Sequence, residues 1–307
     1  MTADHTALLY RGAVEYLAAV LPFVRDGVAA GEAVTVAAPR GNLDLVRDEC
    51  GAEGLADRVR WLDMAEVGRN PGRIVSAVLH PLLARGGRVV TEVVWPGRPS
   101  AQYPACVRHE ALANDVIADR PLRLLCPYDA ELLPASALAD AVGTHPALLR
   151  RGAAETNPEY APDVALETYN RMPDDPAAAD GAREISVGVG ELGDARAMVS
   201  AAARAHGLDE QRVGDTALVV TELVTNSIEH GGGRAELRVW SRDGELVCQV
   251  RDGGTLADPL AGLRPAPVDQ AHGRGLLLVH TLADLVTLHA DEHGTVVRAH
   301  FALPSGA

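Results

Sequence analysis

Thr221-Glu222-Leu223-Val224-Thr225-Asn226-Ser227-Ile228-Glu229-His230 lies at the end of a helical pattern that runs from Asp209 to His230, and it carries two periodicities at once. Glu222, Asn226 and His230 recur at i, i+4 and i+8, so on a helix they project from one face. Val213, Ala217, Val220, Leu223, Val224 and Ile228 form a separate apolar stripe. One side of the helix can be buried while the other, polar where a core face would be apolar, is offered to a ligand. Asp252-Gly253-Gly254 follows, and then Gly273-Arg274-Gly275-Leu276. Such an arrangement suits a metal-nucleotide site.

Working outward, the surrounding segments predict a helices-on-sheet sandwich. Ile185 to Val189 is a strand candidate, and Gly193 to His206 is a helix ahead of the one quoted. Ala235 to Trp240 pairs with Leu246 to Arg251 through the turn Arg242-Asp243-Gly244. Thr255 to His272 is a loop rich in proline and glycine, long enough inside a compact domain to suggest function. Gly275 to Leu285 is a helix. Strands Val286 to Ala290 and Thr295 to Leu303 close the domain around a turn at Asp291 to Gly294.

The first half reads differently. Short β-branched runs, Ala33 to Ala37, Arg88 to Val94 and Leu122 to Cys126, alternate with helical patterns at Gly72 to Arg85 and Ala105 to Ala118. Strands separated by helices imply right-handed crossovers and a parallel sheet covered on both faces. Between the halves, Thr156 to Gly181 holds Pro158, Pro162, Pro173 and Pro176 among acidic residues and reads as an exposed linker.

Composition removes several function classes. A formal net charge of -14 gives no basic stripe for phosphodiester backbones, so direct nucleic-acid binding is not expected. All 28 basic residues are arginines, which excludes a phosphate loop built on lysine and any Schiff-base chemistry. No apolar run of about 18 residues and no leader pattern are present, so the expectation is a cytoplasmic protein without a membrane partner. Cys50, Cys106, Cys126 and Cys248 are scattered, which argues against a disulfide framework or a zinc ribbon.

In order and spacing, the three motifs around Glu222, Asp252 and Gly273 resemble the GHKL ATPase superfamily, in the variant of the anti-sigma-factor serine kinases. The resemblance spans roughly Ala182 to Ala307. It implies the Bergerat α/β sandwich, ATP and Mg2+ as cofactors, Glu222 as general base and Asn226 as the magnesium ligand. It also implies that Asp252 bonds the adenine amino group, and that Gly273 and Gly275 let backbone amides approach the phosphates. Gly254, Arg274 and Leu276 complete the expected nucleotide contacts. His230 matches a histidine common in this helix, with a capping role and a phosphate contact both open. The chain departs from the family where Thr255 and Leu256 follow Gly254, since the family's first glycine box commonly has a second glycine there.

From the residues alone the chemistry is coherent. Magnesium takes hard oxygen donors and usually keeps waters, so one amide oxygen is a sufficient protein ligand. A carboxylate one turn away can accept a proton from an attacking hydroxyl. A glycine-flanked arginine opening a helix adds free amides and positive charge for phosphate.

Glu92-Val93-Val94-Trp95-Pro96, His109-Glu110-Ala111-Leu112-Ala113-Asn114, Leu125-Cys126-Pro127-Tyr128-Asp129 and His145-Pro146 resemble the MEDS sensory domain. That resemblance spans roughly Asp4 to Gly152 and implies sensing of an unnamed small-molecule signal. Arg40, Glu92, Trp95, Cys126 and Asp129 follow or end predicted strands, where open parallel sheets bind ligands, and with His109 they are candidates for one sensory pocket. Cys126 and Glu92 are expected to share its cavity. Cys126, His109 and His145 could also hold a metal, although their spacing matches no standard site. The domain boundaries expected are 1–155 for the sensory domain, 156–181 for the linker and 182–307 for the ATPase domain.

These features imply a regulatory serine/threonine protein kinase and anti-sigma factor, whose partners are a sigma factor, an anti-sigma-factor antagonist, or both. A homodimer is left open. A sensor histidine kinase fits less well, because no histidine lies between His145 and His206 to accept phosphate on a helix preceding the ATPase. An ATP-gated module that sequesters a partner without phosphate transfer is the non-enzymatic alternative.

Overall fold

The computed structural model describes residues 4–172, 182–256, 258–264 and 274–304. The chain divides into two compact units, Met1–Tyr169 and Asn170–Ala307.

The first unit is built on a seven-stranded sheet. Its strands are β1 (Asp4–Tyr10), β2 (Val34–Ala38), β3 (Val59–Asp63), β4 (Gly87–Thr91), β5 (Leu122–Asp129), β6 (Ala147–Arg150) and β7 (Ala153–Thr156), in the order β3-β2-β4-β5-β1-β6-β7. All neighbouring pairs are parallel except β6 and β7. The helices are α1 (Gly12–Ala29), α2 (Arg40–Ala52), the single turn α3 (Met64–Val67), α4 (Tyr103–Ile117), α5 (Ala135–Thr144) and α6 (Pro162–Tyr169). Tyr16, Val20 and Val24 of α1 and Leu43 and Val46 of α2 pack with Val36, Val90 and Leu125 on one face of the sheet. Alternation along the strands then turns His5 and Cys126 to the opposite face, where they meet Glu110 of α4.

Two expectations change here. The segment from 72 to 85 is not one helix: it is a 3-10 turn (Pro71–Arg73), a π turn (Val75–Leu79) and a second 3-10 turn (His80–Leu82). Pro81 has no N–H to give to the ladder, and its ring crowds the preceding turn, so a regular helix cannot pass through it. Likewise, the stretch expected as linker from Thr156 begins inside the first unit. Asn157 is buried and donates to the carbonyls of Val142 and His145, and α6 packs on α4 and α5. Pro162 is tolerated there because it opens the helix, where its missing N–H costs nothing. Part of the remaining linker expectation, 173–181, lies outside the described residues.

In the second unit, β8 (Arg183–Val187), β9 (Ala235–Arg242), β10 (Glu245–Asp252), β11 (Leu285–Asp291) and β12 (Gly294–Ala302) form an antiparallel sheet in the order β11-β12-β10-β9-β8. Helices α7 (Leu192–Ala205), α8 (Glu210–His230) and α9 (Gly275–Leu282) cover it. Asp243 and Gly244 both have positive φ and join β9 to β10 in a two-residue turn whose twist matches the strands. Asp209 caps α8 by accepting from the Arg212 amide at 2.8 Å. Val213, Val220, Leu223 and Val224 of α8 are buried against Leu237, Cys248, Val250 and Phe301. The polar face of α8 is thereby held at the end of β10. No described helix is long and apolar enough to cross a membrane.

Candidate functional site

A cavity of about 820 Å³ opens beside the polar face of α8, within the range typical of small-molecule sites. Glu222, Asn226 and His230 line it from α8, Asp252 and Gly254 from the end of β10, and Arg274, Gly275 and Leu276 from the start of α9. Leu223, Val250, Leu288 and Val297 add apolar wall. Gly273 lies outside the described residues, as do 257 and 265–272 of the segment expected as a long loop.

The carboxylate of Asp252 is fixed from two sides. Ser227 Oγ donates to Oδ2 at 2.6 Å, and the Gly254 amide donates to Oδ1 at 2.8 Å. Thr295 Oγ1 donates to the Gly254 carbonyl at 2.8 Å, which ties the loop after β10 to β12. The space around this corner leaves no room for side chains. A Cβ on Gly254 would fall 2.5 Å from the His230 carbonyl oxygen, and one on Gly231 would fall 2.4 Å from Asp252 Cγ. Glycine at 254 is therefore required by close approach of the chain to the end of α8.

At the other end, a Cβ on Gly275 would lie 2.5 Å from Glu222 Oε2, 3.4 Å from Asn226 Nδ2 and 3.6 Å from Asn226 Oδ1. The first turn of α9, whose amides have no partner within the helix, thus sits directly against the carboxylate and carboxamide of α8. A hard cation bound by a single amide oxygen beside phosphate fits this cradle, because only backbone intrudes on it. His230 stands at the rim, with its side chain about three-quarters exposed. Reasoning from sequence passed over Ser227 and Thr295. The signal for Ser227 was present: it is a polar residue at a position three and four residues past Val224 and Leu223 on the buried stripe, and its hydroxyl is spent on Asp252.

Of the six residues proposed for a sensory pocket, Glu92 and Asp129 lie within electrostatic reach of one another. Arg40 is exposed at the start of α2 and 3.5 Å from Asp63. Trp95 stacks under the Arg98 guanidinium, 4.2 Å from its ring centroid. Asp129 accepts from the amides of Glu131 and Leu132, ending β5. Glu92 is buried and accepts from Asn42 Nδ2 at 2.9–3.0 Å and Tyr10 Oη at 3.2 Å. Burial raises the Glu92 carboxyl from 4.5 to about 7, against the lowering effect of those donors.

Cys126 does not end a strand. It lies within β5, on the face toward α4, and groups with His5, Glu110 and His145 rather than with Glu92. Burial raises its thiol well above the ordinary range. His109, expected beside Cys126, is not in this group; burial lowers its imidazole to about 4. Adjacent residues of a helix point in different directions, so Glu110 takes the place assigned to its neighbour.

Comparison with known proteins follows this division. Residues 4–146 match the model of MEDS, the methanogen/methylotroph DcmR sensory domain, and residues 185–301 match that of the histidine kinase-like ATPase domain. No curated protein matches the chain. Among solved structures, the RsbU and RsbW domains of Rv1364c from Mycobacterium tuberculosis align at 18% identity and TM-score 0.31, over 40% of this chain and 32% of that one. The Acinetobacter baumannii histidine kinase AdeS aligns at 12% identity and TM-score 0.25, over 40% of this chain and 68% of that one. The alignment thus spans about a third of the mycobacterial chain. The chain joins a MEDS domain to a GHKL-type, histidine kinase-like ATPase domain.

Proposed function

We propose that the second unit binds ATP with Mg2+ and transfers the γ-phosphoryl group to a serine or threonine of a regulatory partner, an antagonist in a sigma-factor pathway, under the control of the MEDS domain. The observation that carries this reading is the single cavity in which a doubly anchored Asp252 lies at one end and Glu222 and Asn226 face the start of α9 at the other. An adenine needs a fixed acceptor for its amino group, and Asp252 is held in one orientation before any ligand arrives. The phosphates need donors that need not be charged, and the α9 amides with Arg274 supply them without lysine. Asn226 would hold the Mg2+, which would neutralise phosphate charge. Glu222 orients and deprotonates the acceptor hydroxyl for in-line attack. Leu276 and the apolar wall exclude water around the base and sugar. The His230 backbone meets Gly254 at the Asp252 end of the cavity.

Two substitutions separate the binding roles. Asn226→Ala is expected to abolish the magnesium dependence of ATP affinity in calorimetry, because it removes the protein oxygen assigned to the metal; equal magnesium titrations of wild type and variant would remove that assignment. Asp252→Asn is expected to weaken adenine nucleotides by roughly 10- to 150-fold, the value of one charge-assisted hydrogen bond, with a smaller effect on folding. Loss of thermal stability with unchanged nucleotide preference would make Asp252 a turn residue. Phosphate transfer itself is tested with radiolabelled ATP and a partner captured from the native host.

A further inference from the structure

Away from the nucleotide cavity, the face of the first sheet covered by α4 holds four buried metal-ligating side chains. His5 on β1, Glu110 on α4, Cys126 on β5 and His145 after α5 each offer one donor atom, and the four atoms lie within 4.8 Å of one another. Three of the separations are given by His5 Nε2 to Cys126 Sγ at 3.3 Å, His5 Nε2 to Glu110 Oε2 at 3.2 Å and His145 Nε2 to Glu110 Oε2 at 3.5 Å. Zinc bonds of about 2.0–2.1 Å to nitrogen and oxygen and about 2.3 Å to sulfur set tetrahedral edges of roughly 3.3–3.7 Å. The group is already near that size.

The tautomers are fixed from outside the cluster. Asn114 Nδ2 donates to the carbonyls of Glu110, Ala111 and Thr144, so its Oδ1 is left as an acceptor, 2.9 Å from His5 Nδ1. His5 therefore carries its proton on Nδ1 and turns the Nε2 lone pair inward. His145 Nδ1 likewise donates to the Ala141 carbonyl at 2.7 Å. The two rings meet at a tilt of 47° with centroids 4.0 Å apart. Two lone pairs thus converge on the Glu110 carboxylate, acceptor against acceptor. Glu110 Oε1 and His145 Nε2 also have no hydrogen-bond partner among the described residues, although both residues are almost wholly buried. A cation among them would resolve each of these conflicts.

We infer that His5 Nε2, Glu110, Cys126 Sγ and His145 Nε2 bind one tetrahedral divalent ion of the zinc class. Binding forms a metal–sulfur bond and releases the Cys126 thiol proton to solvent. Thiolate and carboxylate then balance the ion's two charges, so the loaded site is neutral, as full burial demands. Asn114 is a positioning residue, acting through the His5 ring.

Full-length chain stripped with a chelator and titrated with Co2+, without nucleotide, is expected to take up ~1 ion per chain. A thiolate-to-cobalt charge-transfer band, intense tetrahedral d–d bands and proton release should accompany uptake, and Zn2+ should bleach the spectrum. Cys126→Ser is close to isosteric and should remove the charge-transfer band. Asn114→Ala should weaken Co2+ by roughly 10- to 100-fold while keeping the band. Asn226→Ala should leave the spectrum unchanged. Absence of the charge-transfer band in the wild type overturns the proposal without recourse to any variant, and leaves a proton shared between His5 and Glu110 as what holds the cluster. A band that persists in Cys126→Ser overturns the ligand set.

Discussion

Glu222→Ala is expected to lower phosphate transfer to the captured partner by roughly 10²–10⁴-fold while ATP affinity and partner affinity stay near wild type. A carboxylate that positions and deprotonates the acceptor hydroxyl contributes only once the phosphoryl group is in flight, so its loss appears in the rate of transfer. It lines the cavity beside the start of α9, and no other α8 carboxylate lies as close to Gly275. A time course with radiolabelled ATP and the purified pair decides the matter. An unchanged rate in the variant removes Glu222 from the mechanism. A wild type that transfers nothing to an authentic partner, yet binds it in an ATP-dependent way, is a sequestering module and no kinase.

Glu92→Gln is expected to stabilise the first unit by about 3 kcal/mol above pH 7 and to have little effect below pH 4.5. The sign follows from the direction of the shift. Burial raises the folded carboxyl from 4.5 to about 7, so the protonated form is favoured by folding. Its contribution to stability is fully present below 4.5 and is lost as pH rises toward 7, at about 1.4 kcal/mol for each unit of difference. Glutamine stays neutral throughout and keeps an oxygen for Asn42 and Tyr10. Urea unfolding of both proteins at pH 4.5 and pH 8 measures the change; a difference in stability that does not move with pH would show that Glu92 is neutral or solvated in both states.

Much of the second unit was legible because its signals are local. The i, i+4, i+8 face and the apolar stripe of α8 lie within one helix, and Asp243-Gly244 names its own turn. The contact of Gly254 with the His230 carbonyl was not legible, since it depends on how β10 meets the end of α8. In the first unit only three of the seven strands, β2, β4 and β5, were read as short β-branched runs, and the placement of their polar residues was not legible. Whether a strand residue faces α1 or α4 is a matter of register, and one step along β5 separates Leu125, packed with α1, from Cys126, beside α4. His5 carried no signal because its partners are more than a hundred positions away. Pro81 was the one visible warning against the helix expected from 72 to 85.

The order of strands in the first sheet has a consequence for synthesis. β1, the first strand of that unit to be made, belongs between β5 and β6, nearly the last of it. Until β5 has emerged both edges of β1 carry open backbone donors and acceptors, and one edge stays open until Leu148 follows, so the nascent chain must keep Ala7 and Leu8 from pairing elsewhere. The short antiparallel β7, with all four residues exposed, closes the far edge as soon as the last parallel strand is in place. A shortened transcript ending before β5 would therefore yield a sheet without its centre, prone to associate with copies of itself rather than to wait.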